Sequence, residues 1–243
     1  MRTMTPHPPR DSVGVALYRH EAIGAVLQVR GVDDGAPRLS VLLSRREHEP
    51  FEGQFALPSG PVEPEETLEA AVLRHLAEKV DVAGLTHREQ LGTRSDPGRD
   101  PAQRTIGTSY LGLVPTVLEP HLPERAAWFA VDDLPELAFD HYSVVAQAVT
   151  RLRAKLSYTN IGFALMPAEF TIAELREVYV AALGHDVAPT NLERVLTRRG
   201  QLVPTGEMSA PGTKGGRPAR VFRFRDHSLV VTDPFAVLRL PAG

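Results

Sequence analysis

The sequence predicts two domains of mixed construction. An α/β (α+β) sandwich of short strands around a helix occupies residues 1–157, and a small basic domain of two helices and a β-hairpin occupies residues 158–243. Three observations carry this reading. Val- and Leu-rich runs of strand length recur early in the chain, separated by charged or glycine-containing turns. They lead into one helical stretch within Gly60 to Val82, GPVEPEETLEAAVLRHLAEKVDV. Further on, two Thr-x-x-Glu helix starts precede a glycine-rich basic segment flanked by apolar residues.

The bulk properties narrow the function classes. A length of 243 residues suits two modest domains. With 42% hydrophobic and 23% charged residues, the composition is that of a folded globular protein rather than a disordered one. No apolar run approaches the ~20 residues of a membrane span, and MRTMTPHPPRDS lacks the apolar stretch of a signal peptide, so a cytoplasmic location and no membrane partner are expected. The absence of cysteine excludes disulfides and thiolate zinc sites. Acidic residues outnumber basic ones before Ser157, and the balance reverses after it. Ala188 to Arg225 holds eight Lys or Arg against two Glu, a stretch that should prefer a polyanion.

In chain order, a loose Pro-rich start is followed by three expected strands, VGVALYR from Val13, AIGAVLQVR from Ala22 and LSVLLSRR from Leu39. Gly31 to Pro37 is a turn, and Glu47 to Gly53 a loop leading to FALPSG. A helix is expected from about Glu65 to Lys79, and a second from about His141 to Leu156, where Val144, Val145, Ala148 and Leu152 recur at helical spacing. Trp128 and Phe129 are expected in the core. A linker should follow near Ser157 to Met166.

The capping boxes Thr171 to Glu174 and Thr190 to Glu193 start two helices, with Gly184 and Gly200 as their stops. Joined by HDVAP, they suggest a helix-turn-helix. On the second, Thr190, Asn191, Arg194, Arg198 and Arg199 are the candidate readers of base edges and backbone in a major groove. Leu202 to Arg225 then reads as two strands with a basic tip, the wing of a winged helix. Lys214, Arg217 and Arg220 would contact phosphates there.

Gly60, five residues, Glu66, seven residues and Arg74 resemble the Nudix box, a glycine, five residues, a glutamate, seven residues, then REUxEExGU with U aliphatic. Members hydrolyse nucleoside diphosphates linked to another group, and the glutamates of that segment hold magnesium. Here the segment reads RHLAEKVDV: Arg74, Leu76, Glu78 and Val82 fit, while His75 and Lys79 stand at metal-binding glutamate positions and Asp81 at the closing glycine. Magnesium wants oxygen ligands in octahedral array, which lysine and imidazole do not offer. The expectation is a pocket that binds a pyrophosphate ligand without cutting it, with no catalytic residues and no metal, Lys79 supplying part of the missing positive charge.

The loop Asp96 to Arg104 (DPGRDPAQR) resembles the ADP-ribose-handling branch of these families. Together with the LAFDHYSVV, FALMPAEFTIAEL and GRPARVFRF segments, it makes nearly the whole chain resemble the Nudix-related transcriptional regulators of NAD metabolism, NrtR. The resemblance implies a homodimeric repressor of NAD synthesis or salvage genes, bound to near-palindromic double-stranded DNA, with ADP-ribose or a related nucleotide as effector and no cofactor required. Arg46, Gly60, Arg74, Glu78, Lys79, Arg99 and Arg104 become the ligand candidates. The alternative is an active ADP-ribose or nucleoside diphosphate pyrophosphatase with a C-terminal assembly domain, its metal held by Asp96, Asp100 or Glu63.

Overall fold

A computed structural model describes residues 9–82, 84–209 and 218–233. The chain divides into two compact units. One holds Met1–Leu27, Val41–Gly112 and Pro120–Ala148, the other Gln28–Ser40, Leu113–Glu119 and Val149–Gly243.

Strands β1 (Arg19–Arg30), β2 (Arg38–Arg45), β3 (Phe55–Ala56), β4 (Ser59–Pro61), β5 (His87–Arg94), β6 (Thr105–Leu113) and β7 (Ala126–Ala130) form a seven-stranded sheet. Its main order is β3-β2-β1-β6-β5, with β4 paired to β1 and β7 to β2. Ala22 to Val29 of β1 is buried at every position rather than at alternate ones, because both faces of the sheet are covered.

Helix α1 (Leu68–Val80) covers one face at close range. Gly24 of β1 makes this approach possible, since a Cβ there would lie 3.0 Å from a Leu76 methyl. The helix begins at Leu68 rather than Glu65 because the Thr67 hydroxyl accepts the Ala70 N–H at 3.1 Å and caps it. It ends on Asp81 in the left-handed region, φ 52°, a conformation glycine adopts at far lower cost.

The first expected strand does not form. The Asp11 carboxylate accepts the N–H groups of Val13 (3.0 Å) and Val15 (2.8 Å), folding the segment into a turn, and strand structure starts at Arg19. Phe129 packs edge-on against Phe55, with ring centroids 4.7 Å apart, though it and Trp128 are only half-buried. Helix α2 runs His141–Tyr158, two residues beyond the expected end.

The expected linker is a structured segment. Residues 159–166 are buried, four of them in a 3-10 turn, Ile161–Ala164. The apolar IGFALM run demands burial. Asn160 fastens it, donating to the carbonyls of Asp226 (3.2 Å) and Ser228 (2.9 Å) and accepting from the Val230 N–H at 2.7 Å.

Strand β8 (Phe170–Thr171), helices α3 (Ile172–Leu183) and α4 (Pro189–Arg198), and the hairpin β9 (Leu202–Met208) with β10 (Arg220–Phe224) make a winged helix. The three strands lie in the order β8-β10-β9. The capping box at Thr171 and Glu174 forms in full, and Gly184 ends α3 with φ 79°. The second box does not form. Pro189 pre-sets the first helical position, so Ala188 becomes the N-cap and Thr190 and Glu193 fall inside α4. Leu175, Val178, Tyr179, Leu192, Leu196, Phe222 and Phe224 close the core.

Candidate functional site

The first turn after β2, the start of β4 and the last turn of α1 converge on a cleft. Two cavities of ≈ 190 and ≈ 320 Å³ share Arg46, His48, Ser59 and Lys79 as walls. Arg45 and Arg125 extend the first; Arg19, Glu21, Gly60, Asp100 and Phe139 extend the second. The cleft therefore presents clustered cations with a carboxylate pair at one end, suited to a phosphorylated ligand that also carries hydroxyl groups.

Lys79 is drawn inward by a hydrogen bond from its ammonium to the Ser59 carbonyl. Burial, reinforced by the Arg46 charge, pushes its pKa below the usual lysine range. The Arg46 guanidinium donates to the carbonyls of Pro50 (2.8 Å) and His48 (3.2 Å) and lies 4.6 Å over the Phe139 ring. Phe139 and its edge-on neighbour Phe51, 5.0 Å away, are both left-handed, with φ of 58° and 67°. That backbone region is strained for bulky residues.

The other box residues play different parts. Gly60 forms cleft wall because the His75 ring fills the space behind it; a Cβ there would lie 2.3 Å from the ring. His75 is buried and its Nε2 donates to the Pro61 carbonyl at 2.9 Å, with burial lowering its pKa. Arg74 is not a cleft residue. It holds Glu66 through two hydrogen bonds, one of 3.1 Å, and donates to the Pro61 carbonyl at 3.1 Å. That pairing holds the Glu66 carboxyl down to about 2. Glu78 faces solvent, with 55% of its side chain exposed, and touches Arg74 at 3.5 Å.

A magnesium ion held from the box positions does not fit these residues: the imidazole is turned into the protein, the ammonium occupies the cleft, and the remaining carboxylate points away. Among the described residues there is no group of three or more His, Cys, Asp or Glu that could hold a metal ion. Of the alternative carboxylates, Asp100 lines the cleft but is engaged with the Ala102 N–H (2.9 Å) and the Thr105 hydroxyl (2.8 Å). Asp96 borders a neighbouring cavity, and Glu63 borders none of those described.

Two loop arginines are also structural. Arg99 is buried between Asp140 at 3.0 Å and Glu21 at 3.8 Å. Arg104 donates to the Asp96 carbonyl at 3.1 Å and stacks 5.3 Å from Tyr18, outside the cleft walls. The sequence reading missed Arg45, Arg125 and Glu21. Arg45 adjoins Arg46, Glu21 opens the continuously buried run of β1, and Arg125 directly precedes β7.

On the second unit, α4 turns Thr190, Asn191, Arg194, Thr197 and Arg198 to solvent. Thr197 completes this face and was not anticipated. Arg194 donates to the Asn191 side chain at 2.7 Å. Arg199 is removed from the reading face: as the C-cap just past α4, it donates to the Ser157 carbonyl (2.7 Å) and pairs with Asp233 (2.6 Å). Arg220 is exposed on β10 and pairs with Glu193 at 2.7 Å. Lys214 and Arg217 lie outside the described residues. Arg176 braces the turn between α3 and α4, donating to the Val187 carbonyl at 2.8 Å and pairing with Asp186. No helix among the described residues is long and apolar enough to cross a membrane.

Comparison with known proteins agrees with both halves of this description. Residues 162–224 match the NrtR DNA-binding winged helix domain, and residues 18–148 match the NUDIX domain. Over 205 residues the chain is 30% identical to the ADPR responsive transcriptional repressor NtrR of Acinetobacter baylyi, covering 82% of this chain and 80% of that one. Over 138 residues it is 34% identical to the ADP-ribose pyrophosphatase of Methanocaldococcus jannaschii, covering 56% of this chain and 78% of that one. The crystal structure of Shewanella oneidensis NrtR complexed with a 27mer DNA superposes with a TM-score of 0.73 at 27% identity, covering 84% of this chain and 93% of that one.

Proposed function

The chain belongs to the NrtR family, and from that premise we propose that it is a transcriptional repressor responsive to ADP-ribose. Residues 1–157 would sense the nucleotide and residues 158–243 would read duplex DNA. The observation that carries the sensing half is Lys79: an ammonium held inside the cleft at a position where the Nudix box pattern has a metal-binding glutamate. It supports binding of a pyrophosphate by fixed cations, Arg46 and Lys79 above all, without magnesium and without hydrolysis. The exposed face of α4 supports the reading half.

In this proposal the protein acts as a homodimer on a near-palindromic operator upstream of genes of NAD synthesis or salvage. ADP-ribose shifts DNA affinity only as far as it prefers one of two states of the dimer. The test is a gel shift on the protein's own upstream region with ADP-ribose, NAD and AMP added in turn, alongside ADP-ribose titration with and without a chelator. Effector-dependent mobility and chelator-insensitive binding are expected. Loss of ADP-ribose affinity on chelation would remove the metal-free sensor.

The similarity to the Methanocaldococcus jannaschii pyrophosphatase supports a second reading, an active hydrolase with an assembly domain. It predicts release of AMP from ADP-ribose that stops on chelation. The repressor reading predicts none.

A further inference from the structure

The DNA-reading unit carries one acidic side chain on the flank of its reading helix, and the fold takes trouble to hold it there. Glu193 lies beside the face formed by Asn191, Arg194 and Arg198, with 31% of its side chain exposed. Its carboxylate pairs at 2.7 Å with Arg220, whose side chain is 65% exposed. The pairing register of β9 and β10 shifts between Arg220 and Phe222. Such bulges re-aim side chains. Phe222 and Phe224 point into the core, Arg223 and Arg225 point away, and Arg220 reaches to α4.

We propose that Glu193 is a specificity-determining residue of the DNA reader, penalising duplexes that offer only backbone charge and tolerating those that present a cytosine amine to its carboxylate. The inference rests on the DNA-reading function proposed above. In the free protein Glu193 and Arg220 satisfy each other. When a phosphate takes Arg220, Glu193 is left as an unpaired carboxylate beside a polyanion. A carboxylate in the major groove accepts from the exocyclic amine of cytosine. Phosphates are the same on every sequence and cannot supply that donor. The ion pair thus weakens binding everywhere except where the right base replaces the lost partner.

The experiment selects duplexes from a random-sequence pool with the wild-type protein. It then measures binding of wild type and Glu193→Gln to the selected duplex and to a shuffled duplex of the same composition, at one salt concentration. Glu193→Gln should bind the shuffled duplex about tenfold more tightly, as expected for one repulsive charge removed, and the selected duplex no more tightly. The pool selected by the variant should lose a cytosine position. Arg220→Met should weaken both duplexes by a similar factor. Equal tightening of both duplexes by Glu193→Gln would reduce Glu193 to general repulsion, and equal weakening would make it a brace for the wing; either overturns the proposal. A melting temperature for each variant keeps unfolding apart from these outcomes. If the wild type enriches no sequence at all, the DNA-reading function itself falls, a result distinct from any behaviour of the variant.

Discussion

The ammonium of Lys79 donates to the carbonyl of Ser59, which fixes a positive charge from the last turn of α1 against the first residue of β4 inside the cleft. A flexible lysine in water would lose more freedom on meeting a ligand; this one is already placed. Lys79→Met is expected to reduce ADP-ribose affinity about ten- to a hundredfold, the worth of one charge-assisted hydrogen bond of roughly 1.5–3 kcal/mol. Because burial lowers the pKa of Lys79, wild-type affinity should also fall on the alkaline side before an ordinary lysine titrates. Calorimetric titration in the presence of a chelator checks both, and unchanged affinity in the variant would take Lys79 out of the binding site.

Gly60 and His75 form a matched pair of missing and added volume. The imidazole stands where a Cβ on residue 60 would be, 2.3 Å from its nearest atom. Gly60→Ala should destabilise the protein by about 1–3 kcal/mol, the usual result of forcing a methyl into a packed site. Gly60→Ala combined with His75→Ala should recover most of the loss. Denaturant unfolding of the four proteins in this cycle measures the coupling, and additive effects would mean that the two residues do not compete for space.

Much of the fold was legible because local chemistry and tertiary structure agree. Thr171 and Glu174 cap each other as their spacing predicts, and Gly184 takes the left-handed stop. The failures have local causes that periodicity does not reveal. Pro189 overrides the Thr190 box by starting α4 two residues earlier, and the Asp11 side chain captures two N–H groups that a strand at Val13 would have needed. At the site, the expected residues that line the cleft are Arg46, Gly60 and Lys79, which lie in or beside recognisable patterns. Arg74, Arg99, Arg104 and Arg199 share their side-chain chemistry but are consumed by Glu66, Asp140, the Asp96 carbonyl and Asp233. Which arginine lines the cleft is a property of three-dimensional packing, and spacing alone does not encode it.

Asp81 ends α1 in a conformation made for glycine. Its backbone N–H still reaches the Ala77 carbonyl at 3.2 Å, so the cap works, but with a Cβ in the left-handed region. Asp81→Gly should therefore stabilise the protein by about 1 kcal/mol and leave ADP-ribose binding unchanged. A thermal melt gives the sign directly. A lower melting temperature would show that the aspartate side chain contributes more than the strain it imposes.

Arg194 and Arg198 lie on α4 and Arg199 is its C-cap, and they are expected to have opposite tasks. With 15% of its side chain exposed and a 2.6 Å partner in Asp233, Arg199 holds the unit together. Arg199→Ala should cost about 1–3 kcal/mol of stability, since it removes both the largely buried ion pair to Asp233 and the hydrogen bond to the Ser157 carbonyl, while the folded fraction binds DNA as before. Neutralising Arg194 and Arg198 together should abolish specific DNA binding and leave the melting temperature within the small range of surface substitutions. Should that double variant still protect the operator, the reading face lies elsewhere.

His141 is fully buried at the start of α2, and its Nδ1 accepts the Leu57 N–H at 3.0 Å, which requires a neutral ring. Burial, opposed in part by the neighbouring Asp140, pushes its pKa down to about 3. The unfolded chain takes up a proton on this residue near pH 6.5, whereas the folded chain does not until far lower. The stability this neutral ring contributes is thus complete above about pH 6.5 and is lost as pH falls toward about 3, at up to roughly 1.4 kcal/mol per pH unit. His141→Asn keeps an acceptor at the Nδ1 position and has no proton to gain. Its unfolding free energy between pH 6.5 and 4 should fall less steeply than that of the wild type by about one proton's worth of slope. Parallel pH dependence in the two proteins would show that other groups, Glu66 and its partner Arg74 first among them, govern acid sensitivity.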